Sequence, residues 1–162
     1  MGLSTKVTSF NQALTILGRR QLARWLQILL YVSHQGKNSS PKLMQLAAMR
    51  GRLMEQFSIA IGWNANMQDQ AFMTGMFSLL DGLLGMPVEE VAKMLQLPDE
   101  VKAALLSNEG GLGQMLALIE KSQSGADGAL PLVLADLNPD RFFECQLDAL
   151  SWSLGLGQEN TF

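Results

Sequence analysis

His34 is the single histidine of the 162-residue chain, and Gln35 follows it. Mechanisms that need two imidazoles, or an adjacent His-Asp pair, therefore cannot be assembled, and a lone histidine at a helix end reads as a solvated or capping residue. Cys145 is the only cysteine. It can form no internal disulfide and no cysteine-based zinc site, and with no base beside it to hold a thiolate it reads as a structural thiol. So little cysteine suits a reducing compartment, and the cytoplasm is the expected location.

The 15 Asp and Glu residues are numerous enough for an all-oxygen Mg²⁺ or Ca²⁺ site, with Asp69, Asp81 and Glu109 as candidate members. No D-x-[DN]-x-[DN]-G loop occurs, however, and Glu89-Glu90 fit the positive end of a helix dipole. Gly-Leu-Gly at 111–113 and again at 155–157 lacks both a preceding strand and the Lys-Ser/Thr of a phosphate loop, so both read as turns or helix stops. No metal site and no cofactor is expected. Arg50 is the charge that stands out, because the spacing Leu46, Ala47, Arg50, Leu53, Met54, Phe57 sets it within an apolar helical stripe. There it needs a carboxylate partner, with Asp81 the first choice and Asp69 the second; the open alternative is that it sits at the stripe's edge and reaches to water.

The elements that must position these residues are all helical: β-branched residues are sparse, no apolar/polar alternation persists, and the 3/4 spacing recurs from end to end. A short helix is predicted over about Ser9 to Leu17, stopped at Gly18. A second carries Leu22, Trp25, Leu26, Leu29 and Leu30 on one face, and a turn at Gly36 to Ser40 follows. Pro41 suits the first turn of a third, with Leu43, Leu46, Ala47, Arg50, Leu53, Met54, Phe57 and Ile61 as its buried stripe. A fourth spans about Asp69 to Leu84, broken by Gly85-Met86-Pro87 from a shorter helix over Val88 to Leu95. Pro98 opens a helix to about Ser107, the Gly110 to Gly113 turn leads into one ending near Ser122, and Ser124 to Gly128 is the most linker-like stretch. A helical segment around Leu130 to Asp136 and a last helix from Pro139 or Asp140 to about Leu154 complete the pattern.

Length allows one domain, residues 1–162, large enough to bury about two thirds of the surface of its unfolded chain. Apolar residues make up 48 % and charged residues 17 %, the balance of a globular helical protein. The net charge is −3, and the only basic cluster is Arg19, Arg20 and Arg24, which argues against a nucleic-acid footprint. No secretory signal and no apolar run of membrane-spanning length is present, so membrane insertion is not expected.

Several strings carry a family resemblance. Ser9-Phe-Asn-Gln-Ala-Leu-Thr-Ile-Leu-Gly18, followed by Arg24-Trp25-Leu26, resembles the S-h-x-x-A-h-x-h-L-G signature (h, hydrophobic) of HDOD domains. Ala71-Phe-Met-Thr-Gly75-Met-Phe-Ser78-Leu-Leu-Asp81 resembles that family's A-F-h-x-G-h-h-S-h-h-D stretch. Met86-Pro-Val-Glu-Glu-Val, Leu97-Pro-Asp-Glu-Val-Lys-Ala-Ala-Leu105-Leu and Gly111-Leu-Gly113 then follow in the order found in the HDOD half of EAL–HDOD signalling proteins. The resemblance covers about residues 9–120 and is specific in combination, with 126–156 as a C-terminal helical extension. Members begin with further helices carrying L-x-x-K-L-L-x-x-h-N, so the resemblance implies that N-terminal helices of the domain are missing here.

HDOD domains are similar to the HD hydrolases, in which a His, an adjacent His-Asp and a later Asp hold metal ions that activate water for phosphoester hydrolysis. Against that pattern Arg50 stands where the first His is expected, Ser78-Leu79 where the His-Asp pair is expected, and Ser107-Asn108 in place of the later His-His of the HD-GYP branch. A permanent cation repels a metal, leucine offers no lone pair, and a lone serine binds divalent ions feebly. The resemblance thus implies an HD-like multi-helix bundle without the HD metal ligands, with Arg50, Asp81, Asp69 and Ser78 in structural or regulatory roles. The expected function is a non-catalytic regulatory module in cyclic-di-GMP-type signalling, contacting protein partners, a linked signalling domain or a second copy of itself. No EAL motif occurs, so any phosphodiesterase activity would belong to a linked segment. The competing expectation is a metal-dependent phosphohydrolase or nucleotide-binding domain built on Asp69, Asp81 and Glu109. A third is a plain structural or oligomerisation domain that presents Met67, Met73, Met76 and Met115 to a partner.

Overall fold

A computed structural model of the chain describes residues 41–94, 97–125 and 131–158. The two helices expected before residue 31, the Arg19, Arg20, Arg24 cluster and His34 lie outside the described residues, and so does part of the one-domain reading of 1–162. The described residues belong to one compact unit, Ser40–Phe162, and every regular element among them is helical.

Pro41 opens α1, Pro41–Ala60, where its fixed φ costs nothing and its missing N–H is not needed. The helix closes in a turn through Gly62, which takes φ +79°. Asn64 then caps α2, Ala65–Phe77, its Oδ1 accepting from the Met67 N–H at 3.0 Å. That cap starts the element four residues before the Asp69 expected from periodicity alone. The expected single helix to Leu84 is also interrupted at Ser78–Leu79, and α3 covers only Leu80–Leu84. Thr74 and Ser78 supply a cause: their hydroxyls donate back to the carbonyls of Gln70 at 2.8 Å and Gly75 at 2.7 Å, which bends and loosens a helix. Gly85, left-handed at φ +67°, ends α3, and α4 runs Val88–Met94.

Next come α5, Asp99–Ser107, ended by a left-handed Asn108, and α6, Gly110–Gln123. Gly110 to Gly113 was expected as a turn leading into a helix and is instead that helix's first turn. The glycines are needed for close approach: a Cβ on Gly111 would meet the Trp63 ring at 2.8 Å, and one on Gly113 would collide with the Asn108 backbone. Of the helical segment expected over 130–136, one 3-10 turn forms, Leu132–Leu134. Finally α7, Pro139–Gln158, is held at its start by Asn138, whose Oδ1 accepts from the Arg141 N–H at 2.7 Å. It runs through Gly155 and Gly157, which were expected as stops.

The arrangement is layered around α1. Its most extensive interface is with α2 and its next with α7, while α5 and α6 pair with each other and rest on α2. The chain direction of α7 is opposite to that of α1, since Phe57 stacks on Phe142 at 5.0 Å while Gln45 donates to the Ser153 carbonyl at 3.2 Å. Being covered on two sides, α1 buries more than one stripe. Ala47, Arg50, Leu53, Met54 and Phe57 are buried as the spacing predicts; Ala48, Glu55 and Ser58 are buried as well. Ile61 lies past the helix and only half-buried. Met73, Met76 and Met115 are core residues, so of the four methionines considered for a partner surface only Met67 is not buried.

Candidate functional site

Arg50 lies in the middle of α1 and is 8 % exposed. Burial at this point follows from a backbone crossing. A Cβ on Gly75 of α2 would sit 2.5 Å from the Arg50 carbonyl oxygen, and one on Gly51 would sit 3.0 Å from the Phe72 carbonyl oxygen and 2.5 Å from Met76 Cγ. Only glycine at both positions lets the helices approach so closely. The crossing carries the guanidinium to the end of α2, where its Nη1 donates to Ser78 Oγ at 3.0 Å, and toward α6, where its Nε donates to Gln123 Oε1 at 2.8 Å. Glu120 Oε1, one turn earlier on α6, lies 3.5 Å from the same Nη1.

The predicted carboxylate partner therefore exists, but it is neither Asp81 nor Asp69. Asp81 is exposed on α3 and acts on Arg50 only as the weaker of two attracting charges. Burial pulls the guanidinium's pKa below its ordinary value, and Glu120 and then Asp81 oppose that pull. Asp69 belongs to a different cluster. Partial burial, and then the neighbouring Glu55 carboxylate, push its carboxyl above the ordinary range. Buried Glu55 is held by Arg52 at 2.7 Å, and Arg52 reaches across to Asp148 of α7 at 3.0 Å and lies 6.0 Å from the Trp152 ring. The four candidates thus divide: Arg50 and Ser78 meet, Asp81 stands outside them, and Asp69 is elsewhere. Sequence reasoning missed Glu120 and Gln123. Their three-residue separation puts them on one face of α6 beside the buried Leu116 and Ile119, a pattern legible in sequence, but their distance from Arg50 along the chain is not bridged by any local rule.

The chemistry open to this arrangement is narrow. Ser78 Oγ gives its proton to the Gly75 carbonyl and accepts from Arg50, so its hydrogen is committed and it is poorly placed as a nucleophile. Arg50 offers no lone pair to a metal and its positive charge opposes one. Asp69, Asp81 and Glu109 do not converge: no group of three or more His, Cys, Asp or Glu side chains able to hold a metal ion occurs among the described residues. Glu109 is exposed and makes no side-chain cap at the start of α6. Cys145 is buried in α7 and its thiol is pushed up, chiefly by that burial, as suits an inert thiol. One buried polar atom among the described residues, Gln70 Oε1, has no hydrogen-bond partner.

No helix among the described residues is long and apolar enough to cross a membrane. No family model matches the chain, and no solved structure matches it. Two curated proteins are similar to it. One is an uncharacterised protein of Bacillus subtilis, YuxH, 33 % identical over 153 residues that cover 93 % of this chain and 37 % of the relative. The other is the cyclic di-GMP phosphodiesterase CdgJ of Vibrio cholerae, 34 % identical over 118 residues that cover 73 % of this chain and 27 % of the relative. The chain thus spans about a third of the length of the curated relatives it matches.

Proposed function

We propose that this chain acts as a non-catalytic HDOD-type regulatory domain in a cyclic-di-GMP-type signalling protein, working through contacts with protein partners or a linked signalling domain in the cytoplasm. The observation that carries the reading is the Arg50 clamp. At the position where the resemblance expects the first metal-binding His, a guanidinium bridges α1, α2 and α6 through Ser78, Gln123 and Glu120. A site filled by a fixed cation has exchanged metal binding for cross-linking of the helices. Similarity to a stretch of the phosphodiesterase CdgJ supports the signalling context. No EAL motif occurs in the chain, so on this reading any hydrolysis of the dinucleotide would fall to a linked segment.

The test is the metal content of the chain, measured by mass spectrometry after purification from manganese- and iron-supplemented cells without chelator. Less than about a tenth of a mole of metal per chain is expected, since HD-type sites that work hold their ions tightly. A stoichiometric ion, accompanied by hydrolysis of a model phosphodiester, would overturn the proposal in favour of a metal-dependent phosphohydrolase.

A further inference from the structure

A helix that packs on one side of a bundle ordinarily turns its polar side to water. On α7 the core-facing residues are Cys145, Ala149 and Ser153, with Phe142 and Trp152 half-buried beside them. Phe143, Leu147, Leu150 and Leu154 nevertheless form a second stripe, between 45 and 58 % exposed. At about 100° per residue it lies on the side of α7 turned away from α1. Its 4-3-4 spacing is that of a coiled-coil seam. We infer that this stripe is the docking face for an amphipathic helix of a partner protein whose apolar residues are flanked by Lys or Arg.

Two observations argue for that occupant. The first is charge. Asp140 and Glu144 line the edge of α7 next to the stripe, while the other edge carries the uncharged Gln146. Arg141 pairs with Glu144 at 2.9 Å, yet the same helical periodicity places it farther round, toward the core side, and Asp148 is turned to Arg52. In an antiparallel pairing of two α7 helices each edge faces its own counterpart, which would bring the acidic edges together, and a parallel pairing would set them against uncharged Gln146, whereas a basic-flanked helix meets them with opposite charge. The second is area. Four half-exposed side chains offer on the order of a few hundred Å², short of the roughly 800 Å² per partner of a stable protein dimer and in keeping with one docked helix.

This deepens the interaction reading above, and its test is separate from the metal measurement. Two synthetic peptides with the same leucine heptads, one flanked by Lys and one by Glu, are titrated against the full chain by fluorescence anisotropy, and the chain's oligomeric state is measured alongside. The Lys-flanked peptide is expected to bind at least tenfold more tightly. Leu147→Glu with Leu150→Glu should abolish that binding, and Asp140→Lys with Glu144→Lys should reverse the preference. Circular dichroism on each variant checks that these exposed changes leave the fold intact. Equal binding of both peptides would overturn the charge assignment. A dimer dissolved by the Leu147 and Leu150 changes would replace the partner with a second copy. A monomer that binds neither peptide would show that the stripe is no docking face, and a metal-free, inactive chain would still stand as non-catalytic.

Discussion

Burying the Arg50 guanidinium removes it from water, a cost recovered only through good geometry and a counter-charge. Its two hydrogen bonds, 2.8 and 3.0 Å long, supply the geometry, and half-exposed Glu120 the charge. Because Glu120 can turn to solvent when its partner is removed, the loss on substitution is smaller than for a fully enclosed pair. Arg50→Met is expected to lower unfolding free energy by about 2 kcal/mol, the order of two lost hydrogen bonds to a charged group less the gain from an apolar side chain. Arg50→Lys keeps the charge but cannot span Gln123 and Ser78 together, and should cost about 1 kcal/mol. Urea denaturation of the three proteins checks both values, and a change within about 0.5 kcal/mol for Met would mean that the side chain behaves as a surface arginine. Arg50 was legible in the sequence as a charge inside an apolar stripe, because helical periodicity is local. Its partners were not, because the choice among Asp69, Asp81 and Glu120 depends on how α6 and α2 come together on α1.

At the scale of elements, the crossing of α1 over α2 is what makes the clamp possible, and it depends on two glycines facing each other across the helix pair. Ala is the better helix former by about 1 kcal/mol, so on an exposed helix Gly75→Ala would stabilise. Here the added methyl meets backbone, the Arg50 carbonyl carbon and oxygen at 2.6 and 2.5 Å, which no rotamer change can relieve. The helices must separate, and Gly75→Ala is expected to destabilise by about 2 kcal/mol or more despite its propensity gain, read as a drop in thermal midpoint. A stabilised variant would mean the helices are not so close. Starts and stops governed by local chemistry could be read in advance: Pro41 at a first turn, Gly85 and Pro87 as a break, Pro139 at the start of α7. Those governed by contact could not. Gly111 and Gly113 are glycine because Trp63 and Asn108 lie against them, and Ser78–Leu79 breaks a regular apolar pattern through hydroxyl bonds that periodicity does not register.

For the described unit as a whole, the all-α class follows from the spacing that runs the length of the sequence, while the place of α7 does not. Residues 126–156 were expected as an extension beyond the part that resembles a known family, yet α7 covers a second side of α1 and touches α2 as well. Phe57, fully buried, stacks on Phe142; Phe72 of α2 meets the Trp152 ring edge-on at 6.3 Å; Arg52 and Gln45 bond to α7 along its length. Each large side chain brought out of a core forfeits roughly 1.5–3 kcal/mol, and a domain of this size has only about 5–15 kcal/mol in total. Uncovering Phe57 together with the Ala149 and Cys145 contacts therefore removes a large part of that margin. A chain ended at Asn138 is expected to keep helical circular dichroism but to lose its cooperative thermal transition and to bind a hydrophobic dye, the marks of secondary structure without fixed packing. If it melts cooperatively within a few degrees of the full chain, α7 is an appendage, and α1 draws its stability from the α2 side alone.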